Sequence, residues 1–598
     1  MRVLAAFLIL LVACGLPAAA DPYDELSRIP ADQVLVDFKD DVPLADVHQM
    51  AAAAGVMLEP VSPESVADRL FQGSVPPARM DAVVAAFSAD PRVESAEPNA
   101  YMAGLWKDED VLPLDQIKRL APTRSFKPND PLYKYQWHMH KIGMEAAWVG
   151  STGRDAIVAV IDTGVAYEDY QKFMLVEDLK GIRFVKGWNY IGNNEHANDD
   201  HAHGTHVAGT IAQATNNGVG VTGIAFNCSI MPLKVLSARG FGSIGDIAAA
   251  IRFAANHGAN VINMSLGGPS SAKALESAVQ YAHKKGVVVV CAAGNNGTEN
   301  VSYPARYKEC IAVSATRFDD QLTFYTNKGK RIDIAAPGGD MNVDQNDDGY
   351  RDGVLQNTIA IGDPTQQAYS LFQGTSMASP HVAGVAAALV SLGITEPEAV
   401  RARLVSTARK EGIDDLDKGY GGGVLEASKA VYRSAVLDPA ARLVLGVGIL
   451  IAMMLFSVAR PRPTVLMLLG LTMGASGLFF LPYLGLNVPL LSHPLADWDL
   501  CLVGTFFHAN PLFWSALIPL GIAIASFGQR RMHNWALGLA LGTAAFLLHQ
   551  VLYTTADIQA IPGLLLDKAW LLLNAGACVF LAYVLAYARI SSAAQPKE

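Results

Sequence analysis

The sequence predicts an α/β core, a mostly parallel sheet with helices on both faces, preceded by a small α+β unit and followed by an all-α bundle in a membrane. Three observations carry this. Residues 156–161 (Ala-Ile-Val-Ala-Val-Ile) and 287–293 (Val-Val-Val-Val-Cys-Ala-Ala) are unbroken apolar runs, the pattern of strands buried on both faces. Small apolar residues run from Val382 to Val390 and lead to Gly393, as in a buried helix with a glycine cap. From about residue 440 onward the chain is far more apolar than before, although the 598 residues together carry a formal net charge of −10. An acidic balance of this kind excludes a nucleic-acid footprint.

At the N-terminus, Arg2, the apolar stretch 3–12 and Ala18-Ala19-Ala20 read as a secretory signal over residues 1–20. Leu11-Val12-Ala13-Cys14 offers the other export reading, a lipoprotein box with Cys14 acylated. Residues 21–102 hold the α+β unit: Val34-Leu35-Val36-Asp37-Phe38 is strand-like, while 44–54 and 77–89 are helical. Residues 103–127 read as a charged linker.

The run 156–161 ends in Asp162-Thr163-Gly164, and a carboxylate there lies where α/β sheets place their ligands. Asp199-Asp200-His201-Ala202-His203-Gly204-Thr205-His206 then opens a helix of small residues. In Gly374-Thr375-Ser376-Met377-Ala378-Ser379-Pro380-His381, Ser376 heads a helix whose free N–H groups favour developing negative charge. A serine in that position alone reads as a cap. Acyl transfer, however, needs a hydroxyl, a base to take its proton and a carboxylate to orient the base. The three blocks supply these groups in the order Asp, His, Ser. Three close histidines also raise zinc, but no Glu-flanked helical pair or Cys pair accompanies them.

That order, with these flanks, resembles the subtilisin-like serine proteases (subtilases, the peptidase S8 family) over about Pro128 to Val431. The resemblance implies a catalytic domain over 128–434, with Asp162 as orienting acid, His203 as general base and Ser376 as nucleophile. It also implies Asn295, after Ala293-Gly294, as an oxyanion donor, and Ser265, Leu266 and Gly267 as a substrate-lining segment that pairs with extended peptide. The unit at 21–102 resembles the inhibitory propeptide of subtilases, whose last strand lies in the substrate cleft and assists folding. The partners implied are polypeptide substrates and the chain's own propeptide, with no organic cofactor.

Asp344-Gln345-Asn346-Asp347-Asp348-Gly349 repeats the start of a calcium loop, with oxygen ligands at alternate positions and a turn-forming glycine. Asp344, Asn346, Asp348 and Asp352 are its expected ligands to a structural calcium; Leu355 stands where an EF-hand closes with Glu. An acidic solvated turn is the alternative. Asn216-Asn217-Gly218-Val219-Gly220 resembles another calcium-holding loop of the family. Cys228, Cys291 and Cys310 have no paired spacing and read as buried free thiols.

Residues 440–598 predict about five transmembrane helices, at 443–458, 464–486, 511–527, 534–553 and 569–588. With the catalytic domain exported, Arg460, Arg462, Arg530, Arg531, Arg589 and Lys597 all face the cytosol. Asp497, Asp499, Asp557 and Asp567 face outward. This obeys the positive-inside rule with a cytosolic C-terminus in a bacterial-type cytoplasmic membrane. The expectation is a membrane-anchored, exported serine endopeptidase, made as a zymogen. Its alternative is a catalytically inactive peptide-binding sensor or scaffold coupled to the membrane domain.

Overall fold

The computed structural model describes residues 31–105, 111–113 and 127–593, except 411, 414, 458–460, 485, 487, 505–507, 527, 528, 554–557, 559, 560 and 562. The expected leader at 1–20 and most of the expected linker lie outside the described residues.

The α+β unit comprises β1 (Gln33–Phe38), α1 (Leu44–Ala54), β2 (Glu59–Pro60), β3 (Leu70–Ser74), α2 (Met80–Ser88) and β4 (Val93–Pro98). Its antiparallel sheet runs β2-β3-β1-β4. Alternation decides what each face of β1 does. Val34, Val36 and Phe38 meet Val47, Val83 and Phe87 in a core of the unit's own. Leu35, pointing the other way, joins Leu70 in the core of the following domain.

The chain then continues through β5 (Tyr101–Gly104) and β6 (Val111–Pro113) to β7 (Ile157–Asp162), β8 (Arg183–Phe184) and β9 (Trp188–Asn189). Next come α3 (His203–Ala212), β10 (Ser229–Lys234), β11 (Phe241–Ser243), α4 (Ile244–Asn256), β12 (Val261–Met264), β13 (Leu266–Gly267) and α5 (Lys273–Lys284). The domain is completed by β14 (Val288–Ala292), β15 (Cys310–Thr316), β16 (Ile334–Pro337), β17 (Val354–Ala360), β18 (Asp363–Phe372), α6 (Thr375–Val390), α7 (Pro397–Thr407) and α8 (Ala427–Tyr432). The expected boundary at residue 102 falls inside β5, which pairs as one unbroken strand.

The large sheet is parallel, in the order β16-β15-β14-β12-β7-β10-β8, with β9 also on β10. Both of its faces are covered, as a parallel sheet requires. Val158 and Val160 of β7 enter the core that holds α6, whereas Ala159 and Ile161 enter the core that holds α4 and α5. All sixteen residues of α6 are buried, which explains its run of alanines and glycine: larger side chains would push it off the sheet.

The helix of α8 passes through a five-residue π-helical turn, Arg433–Leu437, straight into α9 (Asp438–Phe456). Beyond it lie α10 (Val465–Ala475), α11 (Leu517–Ala525), α12 (Arg530–Tyr553) and α13 (Leu564–Ala593). Among the described residues, three helices are long and apolar enough to cross a membrane: Ala427–Phe456, Met532–Tyr553 and Leu564–Ala588. The spans expected at 464–486 and 511–527 appear instead as the shorter α10 and α11. The first is cut at Gly477, whose φ of +62° turns the chain against the backbone of His493. Residues beyond it fold back, Leu478 N–H donating to Leu491 O at 2.6 Å. Glycines let α10 and α12 touch backbone to backbone. A Cβ on Gly470 or Gly474 would lie 2.2 or 2.4 Å from carbonyl oxygens of α12, and one on Gly538 or Gly542 only 1.9 or 2.2 Å from those of α10.

Candidate active site

Asp162 closes β7 at the carboxyl edge of the sheet, and His203 opens α3 beside it. His203 Nδ1 lies 2.7 Å from Asp162 Oδ1, both side chains fully buried. The contact needs close backbones: a Cβ on Gly204 would sit 2.2 Å from Gly164 O and 3.1 Å from Asp162 Cβ. It also stores strain, since Ala202, just before His203, has φ +115°. Asp199 holds the two segments together. Its carboxylate accepts from the Thr163 hydroxyl at 2.9 Å, from the N–H groups of His201, Ala202 and Thr205, and from the Thr205 hydroxyl at 2.6 Å. Thr163 in turn accepts from Gly204 N–H.

The neighbouring His206 does different work. Its Nε2 donates to Val354 O at 2.9 Å, its ring stacks on Phe372, and burial pushes its pKa down to about 3. That ring is a neutral packing residue. Among the described residues, no group of three or more His, Cys, Asp or Glu side chains is disposed to hold a metal, so the three histidines do not assemble a zinc site.

Ser376 begins the second group. It stands in the first turn of α6, the helix against which α3 packs. Its hydroxyl donates to Leu105 O at 2.8 Å and Ser265 O at 3.2 Å. Asn295 Nδ2 donates to the same Leu105 oxygen at 2.5 Å. Thr375 sets the orientation of that amide: its N–H and hydroxyl give Asn295 Oδ1 two donors, at 2.9 and 2.7 Å, which leaves Nδ2 facing Leu105. Gly374, at φ +147°, leaves room, because a Cβ there would come within 3.2 Å of Leu105 O.

Leu105 is delivered by β5. This strand lies antiparallel between β11 and β13, with Gly267 opposite Ala103 and Leu266 opposite Gly104. Leu105 N–H reaches Ser265 O at 3.4 Å. The segment Ser265-Leu266-Gly267 therefore holds an extended peptide by its backbone, and that peptide is the chain's own. Further along the chain, β6 pairs antiparallel with Ser370–Phe372 of β18, the strand that leads to Ser376. The geometry gathers Asp162 with His203, and Ser376 with Asn295, Ser265 and Leu105. Thr375, Asp199 and Leu105 were not singled out from the sequence. Thr375 was legible in principle as part of Gly-Thr-Ser, whereas nothing near Leu105 marks it.

The α+β unit is fastened to the same domain by helix ends. The Glu97 carboxylate accepts from the N–H groups of Lys273 and Ala274 at the start of α5, at 3.0 and 2.8 Å. Asn99 accepts from Gly245 in the first turn of α4 at 3.0 Å, and Asp37 meets Arg252 of α4 at 3.3 Å.

The loop expected to bind calcium folds on itself. Asp344 accepts from Gly349 N–H, Asp352 from Gln345 N–H, and Asn346 from Asp348 N–H. The side chains of Asp344, Asp348 and Asp352 are not drawn into a cage. Even so, Oδ1 of Asp344 and of Asp352 are buried without a donor among the described residues. Burial, together with nearby Asp344, Asp348 and Asp340, pushes Asp352 up to about 6. The donor set, all oxygen and net negative, fits a hard cation. At Asn216–Gly220 the backbone N–H groups of Asn216 and Asn217 turn toward Asp130.

A parallel α/β scaffold thus carries a buried serine, a His–Asp pair and a cleft that holds an extended peptide, the kinds of group that serine proteases use. Comparison with known proteins agrees. Residues 153–423 match the subtilase family of S8 peptidases. Thermitase from Thermoactinomyces vulgaris is 37% identical over 307 residues, which cover 51% of this chain and 99% of thermitase. A thermophilic serine proteinase from Bacillus sp. (strain AK1) is 36% identical over 384 residues, 63% of this chain and 82% of that protein. Fervidolysin from Fervidobacterium pennivorans, a keratinolytic enzyme related to subtilisin, shares the fold: TM-score 0.53 and 24% identity, over 67% of this chain and 60% of that one. The chain belongs to the subtilase family and carries, at 422–593, a domain of unknown function (DUF5942).

Proposed function

We propose that the protein is an exported, membrane-anchored serine endopeptidase that first cuts its own chain between Leu105 and Trp106. The observation that carries this reading is the Leu105 carbonyl, held by Asn295 Nδ2 at 2.5 Å within 2.8 Å of Ser376 Oγ. In this reading Ser376 Oγ attacks the Leu105 carbonyl carbon and passes its proton to His203. Asp162, hydrogen-bonded to Nδ1, orients the ring and balances its charge. Asn295 and the N–H groups at the start of α6 stabilise the oxyanion. His203 then gives the proton to the Trp106 amine as the C–N bond breaks, and water hydrolyses the ester on Ser376 by the reverse relay.

After the cut, residues up to Leu105 stay in the cleft as a product inhibitor, held by β5 pairing and by the Glu97 and Asn99 contacts. Burial of Met102 and Leu105, at 1% and 3% exposure, supports a preference for apolar residues at and three before the cut in polypeptide substrates. The acidic loop at 344–352 binds a structural calcium, with Asp344, Asn346, Asp348 and Asp352 as its ligands. The tail forms a multi-pass bundle in a bacterial-type cytoplasmic membrane, the protease outside and the C-terminus in the cytosol.

Labelling of the purified, processed protein with a fluorophosphonate tests the reaction class. One covalent adduct on Ser376, lost in Ser376→Ala, is expected. No adduct in protein freed of residues up to 105 would reject the reading in favour of a peptide-binding scaffold.

A further inference from the structure

Where the protease meets the helical tail, a cleft of about 440 Å³ opens between α7, the π turn, the start of α9 and the end of α12. Its walls carry Arg403, Arg433 and Arg442, and its other side is formed by Trp514, Gln550 and Tyr553. Arg403 is already engaged, its Nη2 lying 2.6 Å from Asp438 Oδ2 and its Nη1 on the Ser434 hydroxyl. Arg442 has the Asp438 and Asp497 carboxylates near it but bonds neither among the described residues, and the one further carboxylate on the lining, Glu396, caps α7. Arg442 stacks its guanidinium over Phe546 at 4.6 Å, and its buried Nε has no acceptor among the described residues. Arg433 is exposed, and among the described residues its guanidinium makes a long 3.4 Å bond to Ser406. A second buried donor on the same cleft, Trp514 Nε1, also lacks an acceptor among the described residues.

Buried donors without acceptors are costly, and two in one cleft, on Arg442 and Trp514, with the Arg433 guanidinium beside them, call for an anion rich in acceptors. The cleft's height identifies its source. Arg442 sits one turn into α9, and the residues after it, Val444 at 72% and Ile451 at 50% exposure, are apolar and uncovered. On the opposite wall α12 ends in Leu552 and Tyr553, 64% and 70% exposed. In the orientation proposed above this is the outer membrane–water boundary, with aromatic residues at headgroup depth. It also leaves Arg433 and Arg442 on the side where the positive-inside rule disfavours them.

We propose that this cleft binds the phosphate of an anionic lipid headgroup from the outer leaflet, with the acyl chains lying along α9 and α12. The inference rests on the membrane reading of the tail. Arg433 and Arg442 take the phosphate oxygens as charge-assisted hydrogen bonds, Trp514 donates to a headgroup oxygen, and the lipid joins α7 of the protease to the bundle.

The test uses the full chain purified in neutral detergent. Dihexanoyl phosphatidylglycerol, dihexanoyl phosphatidylcholine and inorganic phosphate are added in turn, while Tm and lipid retention by native mass spectrometry are followed. Phosphatidylglycerol is expected to raise Tm by about 3 °C or more and to be retained, with the other two far weaker. Arg442→Gln should abolish that response. Arg433→Glu, on an exposed side chain that folding does not depend on, should weaken it about tenfold even if Arg442→Gln fails to fold. An equal response to phosphatidylcholine, a full response to inorganic phosphate, no response at all, or an unchanged response in Arg433→Glu would each overturn the inference. If the chain instead leaves cells without detergent and stays monodisperse in buffer, the membrane reading itself fails.

Discussion

Asn295 is held by two donors on its oxygen so that its nitrogen faces the Leu105 carbonyl, the group that the proposed reaction turns into an oxyanion. Asn295→Leu should therefore lower kcat about 10²–10³-fold with little change in KM, the size of loss known for this donor in subtilisin. Steady-state kinetics on a peptide ending in Leu before the cut checks it. Asp352 allows a second test. Burial raises its pKa to about 6, above the ordinary carboxylate value of 3.8, so the folded state binds its proton more readily than the unfolded state does. Its ionisation then opposes folding: stability is lost as pH rises from about 4 through 6, and the full penalty remains above that. The calcium proposed for this loop would relieve the penalty. Chelation should lower Tm markedly above about pH 6 and much less near pH 4.5, measured by calorimetry.

The segment from β4 to Leu105 is anchored at helix ends. Glu97 satisfies two free N–H groups of α5 and meets the positive end of its dipole. Glu97→Ala should weaken inhibition by added residues 21–105 by about 1 kcal/mol, roughly fivefold in Ki. An unchanged Ki would remove Glu97 from the interface. In the tail, Gly542→Leu should destabilise the bundle, because even a Cβ there would lie 2.2 Å from Leu471 O. Early elution as aggregate in detergent chromatography is the expected readout. Legibility follows the range of the forces involved. The strand ends at Asp162, Asn295 and Ser265 could be read because each apolar run is local, whereas the roles expected of Asn295 and the Ser265 segment came only with the resemblance to subtilases. Ser376 could be read because its small neighbours are compatible with only a buried helix. Leu105 could not, since its contact with Ser376 spans 271 positions and comes from folding of the whole α+β unit. Hydropathy over 464–486 likewise registers apolarity but not the turn at Gly477.

Taken whole, the molecule is a protease rigidly continued into a helical bundle. One helix, Ala427–Phe456, belongs to both parts; in the membrane reading proposed above, that helix and not a flexible tether sets the height of the cleft over the bilayer. Between the two lies a buried polar junction, His508 Nδ1 on Asp499 at 3.0 Å with Gly393, just beyond α6, packed close by. The central claim is that the chain lies across its own active site as its first substrate. N-terminal sequencing of the protein purified from membranes tests it most directly. Wild type should begin at Trp106, and Ser376→Ala, expressed alone, should keep residues 101–110 uncut. A mature terminus elsewhere, or cutting at Trp106 in Ser376→Ala, would contradict it.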